Sequence, residues 1–351
     1  MIKSLTSLRF FFALMVFMSH LNPFAIKNEN YQWLFSNILS QGGLGVSFFF
    51  ILSGFVLALN YNDKIVKKEI STKDFLIARV ARIYPLHLLT LFFAIVIFYK
   101  QFFQDFSIWC YKLLAHLTLS QSFIFDANYN LSLNSPAWSI SCEAFFYLMF
   151  PFIIRASESK IFKYILAIMF ILLLSFPTVL SENTYAYLYN FNPFIRIFDF
   201  ILGIYLFKFY QKKSTLITNR FWGNCFEFLS VILFVAFFIF HSHFPRVYLF
   251  SIYYWIPMVF LILAFSYQKG FLSQMLSNKI LILLGEISFG FYMFHYVIIL
   301  FVLKFKGYLF TENKLFLVLL AFFISLIISF LSYYNFEKPM NTFIKKKLIK
   351  Q

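Results

Sequence analysis

The chain has 351 residues, of which 61% are hydrophobic, 24% aromatic and only 13% charged, where a soluble domain carries about a quarter charged residues. A soluble enzyme could not cover its surface with so few charges, and a single anchor helix would leave the rest with ordinary composition, so both are excluded. The net charge of +16, from 30 Lys and Arg against 14 Asp and Glu, would suggest nucleic acid as partner of a soluble protein; in a polytopic membrane protein it should instead map to one side.

Apolar runs of spanning length occur at 5–24, 42–60, 82–100, 137–155, 161–180, 194–209, 225–242, 248–266, 283–304 and 314–336, each near the ~17–25 residues a bilayer needs. The stretch from Ile108 to Phe125 is interrupted by Lys112 and His116 and reads as an interfacial or re-entrant helix or an eleventh span. Ten spans with the N-terminus inside leave only Lys27, Lys100, Lys112, Arg196, Arg246, Lys304, Lys306 and Lys314 outside. That partition follows the positive-inside rule, and no nucleic-acid partner is expected. The expected fold is all-α, a polytopic transmembrane helical bundle of about ten spans plus one interfacial or re-entrant helix, with both termini cytoplasmic. Arg9 and His20 in the first run, and the lack of an A-x-A-like site, argue against a cleavable signal. A single integral-membrane domain over 1–351 is expected, with no appended soluble domain. Cys110, Cys142 and Cys225 are odd in number, show no metal-ligand spacing and read as small apolar residues; no metal site is expected.

Ionisable groups inside spans are costly and mark function by default. Arg9 and His20 are eleven positions apart, on nearly one helix face and about 16 Å apart. Snorkelling to the inner headgroups competes with a ligand role for Arg9, and a neutral core histidine with a catalytic one for His20. Gly42, Gly43, Gly45 and Gly54 at and within span 2 suit close helix packing or a cavity wall. Arg79 and Arg82 neighbour each other at the inner end of span 3, suited to a phosphorylated donor or to topology anchoring. His87, one turn on, reads as a satisfied core residue. In span 4, Glu143 sits about 9 Å below the outer end, with Ser139 one turn away on the same face. It stands at a depth comparable to His20, which it could orient as a general base. Arg196 and Asp199 in span 6 read first as a mutually neutralising pair, with sugar-hydroxyl binding as the alternative. His295 lies in the outer half of span 9. His116, His241 and His243 carry no clear signal.

Seven segments in this order, SLTSLRFFFALMVFMSH, GGLGVSFFFILSGFVL, RVARIYPLH, NSPAWSISCEAFFYLMFP, RIFDFILGIYL, LGEISFGFYMFHYVII and the closing FEKP at Phe336 to Pro339, resemble the multi-pass acyltransferase family 3, which includes bacterial O-antigen and polysaccharide O-acetyltransferases. The resemblance covers nearly the whole chain. It implies transfer of an acyl group, most often acetyl, from acyl-coenzyme A to a sugar hydroxyl of a surface glycan or its lipid-linked precursor, in the bacterial cytoplasmic membrane. Acetyl-CoA would be a donor substrate, with no permanently bound cofactor, and the partners would be the glycan acceptor and membrane lipid. The family's functional motifs fall on Arg9 and His20, on Arg79 and Arg82, and on Ser139, Ser141 and Glu143. Cys142 stands where the family more often has Val or another apolar residue.

The expected mechanism has Arg79 and Arg82 holding the donor's phosphates while His20, oriented by Glu143 and with His295 nearby, deprotonates the acceptor hydroxyl. A covalent acyl-His20 intermediate is the alternative. The competing function classes are a glycan-precursor transporter or flippase and an acyltransferase acting on a small molecule.

Overall fold

The structure is a computed structural model that describes residues 2–24, 29–175, 181–309 and 313–349. Among these residues every regular element is helical and no strand is present. An apolar chain in lipid must satisfy its backbone internally, and helices do so within one segment.

The chain runs through α1 (Lys3–Ser19), α2 (Glu29–Asn37), α3 (Gly43–Val66), α4 (Thr72–Gln104), α5 (Phe106–Leu117) and the short α6 (Ala127–Asn130). It continues through α7 (Trp138–Ala156), α8 (Lys160–Ser175), α9 (Glu182–Phe191), α10 (Pro193–Lys212), α11 (Arg220–Phe240), α12 (Arg246–Leu249) and α13 (Trp255–Ser266). The last elements are α14 (Phe271–Leu276), α15 (Lys279–Phe305), α16 (Lys314–Ser332) and α17 (Lys338–Leu348). Polar residues cap many starts: Ser71 accepts from the Asp74 amide at α4, Asn192 from Phe194 at α10, and Asn278 from Ile280 at α15.

Among the described residues six helical stretches are long and apolar enough to cross a membrane: Tyr31–Val66, Thr72–Gln104, Ser135–Ala156, Arg220–His243, Lys279–Tyr308 and Lys314–Leu348. The runs at 5–24, 161–180, 194–209 and 248–266 are also largely helical, in α1, α8, α10 and α13, but in shorter or more charged segments. Residues 176–180, at the end of one expected span, and Lys27 lie outside the described residues. One open alternative narrows and one expectation changes. The 12-residue α5 rises only about 18 Å, short of a ~30 Å hydrocarbon layer, and the chain then turns through Gln121–Phe123, which fits the interfacial or re-entrant reading of 108–125 better than an eleventh span. The 248–266 run is not one helix: a tight turn at Ile252–Tyr254 separates α12 from α13. The cause is a buried ion pair that recruits the backbone and side chains of this turn.

That pair is Arg196–Asp199 on α10, 3.0 Å apart, with both residues fully buried. Arg196 donates to the Phe250 carbonyl and to Ser47 Oγ of α3 at 2.9 Å. Asp199 accepts from Ser251 Oγ and from the Trp255 indole. The network ties α3, α10 and the start of α13 together, in line with the mutual-neutralisation reading. Around it, small residues set the helix spacing. A Cβ on Gly54 would overlap the Phe200 carbonyl, and one on Gly203 the Ile51 carbonyl, so α3 and α10 meet backbone to backbone. Gly42 and Gly45 likewise admit the carbonyls of Met15 and Phe12, whereas Gly43 has open space.

Five helices form a closed ring in which each packs against the next: α1 on α3, α3 on α7, α7 on α4, α4 on α15, and α15 back on α1. The remaining elements lie outside it, with α10 against α3 and α7, α16 against α15, and α17 against α4.

Two substitutions test this account. Gly203→Val should destabilise the detergent-solubilised protein by about 1–3 kcal/mol or more, the range for overpacking, read as a lowered Tm in a thermal-shift assay. Asp199→Asn strands a buried guanidinium and should cost about 3–5 kcal/mol, read as a fall in the yield of monodisperse protein; wild-type Tm and yield would count against the network.

Candidate active site

The five-helix ring encloses a cavity of about 200 Å³. Arg9 of α1, Ser53 of α3, Arg79 and Arg82 of α4, Ser139, Glu143 and Tyr147 of α7, and Ser288 and Tyr292 of α15 supply its polar lining. Ser139, Glu143 and Tyr147 recur every four residues and therefore form one stripe down α7. On α4 the three-residue spacing of Arg79 and Arg82 does the same. Pro85 follows them and leaves the Ala81 carbonyl without its usual amide partner.

The arginines are held loosely by hydrogen-bond standards. Arg79 donates to Tyr61 Oη at 2.8 Å and lies over the rings of Tyr61, Phe75 and Tyr147, at 4.9, 5.8 and 6.0 Å, while its Nε is buried with no protein partner. Arg82 lies over Phe289 and reaches Glu337 Oε2 only at 3.9 Å. Glu143 Oε1 accepts from Tyr147 Oη and from Ser53 Oγ at 3.2 Å. The cavity thus pairs three guanidinium groups with Glu143 and Glu337, an excess of positive charge suited to an anion.

The histidines form a separate centre at the C-terminal end of α1. His295 Nε2 lies 3.3 Å from His20 Nδ1. His295 Nδ1 is 2.6 Å from the Tyr292 carbonyl, and His20 Nδ1 is 2.9 Å from the Val16 carbonyl. A carbonyl only accepts, so both Nδ1 atoms carry hydrogen, which assigns the tautomers. The His295 Nε2 lone pair then accepts from His20 Nδ1–H, shared with Val16, and His20 Nε2 is left as a lone pair able to take a proton. Tyr292 connects the two centres: its ring lines the cavity and its carbonyl orients His295.

The expected Glu143–His20 pairing is therefore not made. Glu143 belongs to the arginine cavity, and His295 holds the position beside His20 that was expected for a carboxylate. Ser139 does not bond Glu143 either; its hydroxyl donates to the Pro136 carbonyl at 3.0 Å and meets Tyr292 Oη at 2.8 Å. Being four residues apart put Ser139 and Glu143 on one face, but the hydroxyl bonds back to the preceding turn, whose Pro136 carbonyl Tyr292 Oη also reaches at 3.1 Å. Ser141 is not among the cavity's lining residues and ties the segment after α5 to α7 by donating to the Leu119 carbonyl. Arg196 and Asp199 lie outside the cavity, closed in by protein partners. His87 and His116 are core residues, with His87 Nε2 donating to the His116 carbonyl at 2.8 Å. All three cysteines are free, with Cys142 buried against the Phe191 carbonyl. Among the described residues no cluster of His, Cys, Asp and Glu has metal-binding proximity.

Sequence reasoning missed Tyr147, Ser53, Tyr292 and Glu337. Tyr147 was detectable as the next step of the Ser139–Glu143 stripe. Glu337 lies within the FEKP segment, on a π-helical turn at Tyr333–Glu337, and its carboxylate is buried against Gly290 without a hydrogen-bond donor. Wide turns of this kind are frequent at functional sites.

The family model described as an acyltransferase domain, that of acyltransferase family 3, matches residues 2–334. Acyltransferase MdmB of Streptomyces mycarofaciens is 30% identical over 85% of this chain and 79% of its own length. A protein of Acidianus two-tailed virus named "Putative acetyltransferase ORF330" is 27% identical over 74% of each chain. No solved structure matches the chain significantly. These matches decide against a transporter. The chain belongs to acyltransferase family 3 and is a membrane acyltransferase.

Proposed function

We propose that the protein moves an acyl group, most simply acetyl, from cytoplasmic acyl-coenzyme A to a sugar hydroxyl of a surface polysaccharide, O-antigen or lipid-linked precursor. We place it in the bacterial cytoplasmic membrane with about ten spans and both termini inside, an arrangement supported by the charge partition of the loops. The observation that carries the reading is the adjacency of two unlike centres, an arginine-lined cavity and a histidine pair with a proton-accepting nitrogen, joined through Tyr292.

In this reading Arg79 and Arg82, near the inner end of α4, hold the donor's phosphates, and Arg9 adds positive charge further along the cavity. The acyl thioester extends past Ser139 and Tyr292 toward His20. His20 Nε2 takes the proton of the acceptor hydroxyl as its oxygen attacks the thioester carbonyl. The carbon–sulfur bond breaks, and the imidazolium returns the proton to the thiolate. During this step His20 Nδ1–H stays bonded to His295 Nε2 and the Val16 carbonyl, which stabilise the cation without moving. An acyl-His20 intermediate would use the same lone pair as nucleophile. Acetyl-CoA is a substrate here, and no permanently bound cofactor takes part.

His20→Ala should abolish acylation, a loss of about 10²–10⁴-fold or more, in membranes where the protein inserts normally; full activity would sink the reading. His295→Phe keeps the packing but removes one supporting hydrogen bond of about 1.5 kcal/mol, which should lower kcat about tenfold with donor KM unchanged. Mass spectrometry of surface glycans from cells with and without the gene should differ by one acyl unit per modified sugar. Identical glycans would point to a different acceptor, such as a small molecule.

A further inference from the structure

The helix α17 carries no acidic residue and ends in Lys345, Lys346 and Lys347, yet it packs against α4, the helix of Arg79 and Arg82. Its lysines are not equivalent. Lys338 lies over the rings of Tyr333 and Tyr334, at 4.4 and 4.8 Å, and Lys347 over Phe343 at 5.8 Å. Lys346 and Lys347 are exposed, whereas Lys345 is half-buried. Eight residues separate it from Glu337, about 12 Å along the axis. Glu337 already reaches Arg82. Among the charges that act on Lys345 are the guanidinium groups of Arg79 and Arg82, on the helix against which α17 packs.

Bringing three cations together at the edge of an apolar bundle is unfavourable unless an anion joins them. Glu337 supplies one negative charge, and only at 3.9 Å from Arg82. Arg79 Nε is a buried donor with no protein acceptor, so the site has a hydrogen-bond vacancy as well as surplus charge. Lysine is suited to such a place as a point charge on a flexible stem, complementing the fixed forks of the arginines.

We propose that Lys345 completes a three-cation site with Arg79 and Arg82 that binds phosphate groups of the acyl donor, with α17 forming the inner wall of that site. This rests on the donor-binding reading above and adds to it a residue from beyond the seven resemblance segments. Lys346 and Lys347 face solvent and take no part.

The test is calorimetric titration of coenzyme A into the full-length protein in phosphatidylcholine nanodiscs. Lys345→Gln should weaken binding about tenfold, the scale of one charge-assisted contact, and Lys345→Arg should restore most of it. Lys346→Gln should bind as wild type. Wild-type affinity in Lys345→Gln, or an equal loss in Lys346→Gln, would overturn the assignment. So would a loss seen only in phosphatidylglycerol nanodiscs, which would make Lys345 a lipid-headgroup contact. Arg79→Gln separates the two levels: if it binds coenzyme A as wild type, the donor reading itself fails, whereas if it is weakened and Lys345→Gln is not, only the role of Lys345 is lost.

Discussion

Charged side chains in an apolar bundle dominate this structure. A guanidinium cannot be neutralised by losing its proton, so each arginine that enters the bundle must be given acceptors, counter-charge or water. The chain meets that demand in two ways. Arg196 uses both terminal nitrogens on Asp199, Ser47 and the Phe250 carbonyl, and the backbone around Phe250 bends out of helix to supply that carbonyl. Arg9, Arg79 and Arg82 instead surround a cavity whose two nearby carboxylates leave positive charge in excess. The first arrangement is complete without a ligand and reads as architecture. The second is incomplete, and that incompleteness marks it as the candidate site.

Helix packing follows from keeping the second arrangement enclosed. Closing five helices around a cavity leaves each with an outer face that must be covered by another helix or by lipid. The backbone contact of Gly54 and Gly203 brings α10 tight against α3, and this carries Arg196 close enough to reach Ser47. α16 and α17 form one continuous stretch interrupted by the π-helical turn that delivers Glu337 to Arg82. The aromatic surplus serves the same purpose, since Tyr61, Phe75, Phe289 and Tyr147 offer ring faces to guanidinium groups where carboxylates are few.

Composition and periodicity were enough to read an all-helical membrane bundle, because every apolar run of spanning length becomes largely helix. They could not show that the run at 248–266 breaks, because the break is imposed by Arg196 and Asp199 from a different helix. The spacing of Arg79 and Arg82, and of Ser139 and Glu143, correctly indicated shared helix faces, since that is a local property. Pairing across helices was the weak inference. Counting residues from span ends suggested a Glu143–His20 contact, but which side chains meet between helices is set by packing that one sequence does not reveal. Glu337 and Lys345 were illegible for a related reason: they lie at the basic end of the chain, where topology alone accounts for lysines and where only the π-turn and the docking of α17 give them direction.

The absence of a Glu143–His20 pair follows from the same charge balance. Moving Glu143 to the histidine would leave three arginines facing Glu337 alone, and the Tyr147 hydroxyl and Ser53 without the acceptor they share. A histidine flanked by a carboxylate would also be held partly as imidazolium, which lacks the lone pair that proton abstraction or nucleophilic attack requires. A neutral partner avoids both costs. His295, fixed by the Tyr292 carbonyl, presents a lone pair rather than a negative charge, so it can align His20 Nδ1–H and leave Nε2 basic. Carboxylates stay with the arginines that line the cavity and a carbonyl-anchored imidazole stays with His20, so the charged centre and the neutral one remain distinct, with Tyr292 lining the first and orienting the second.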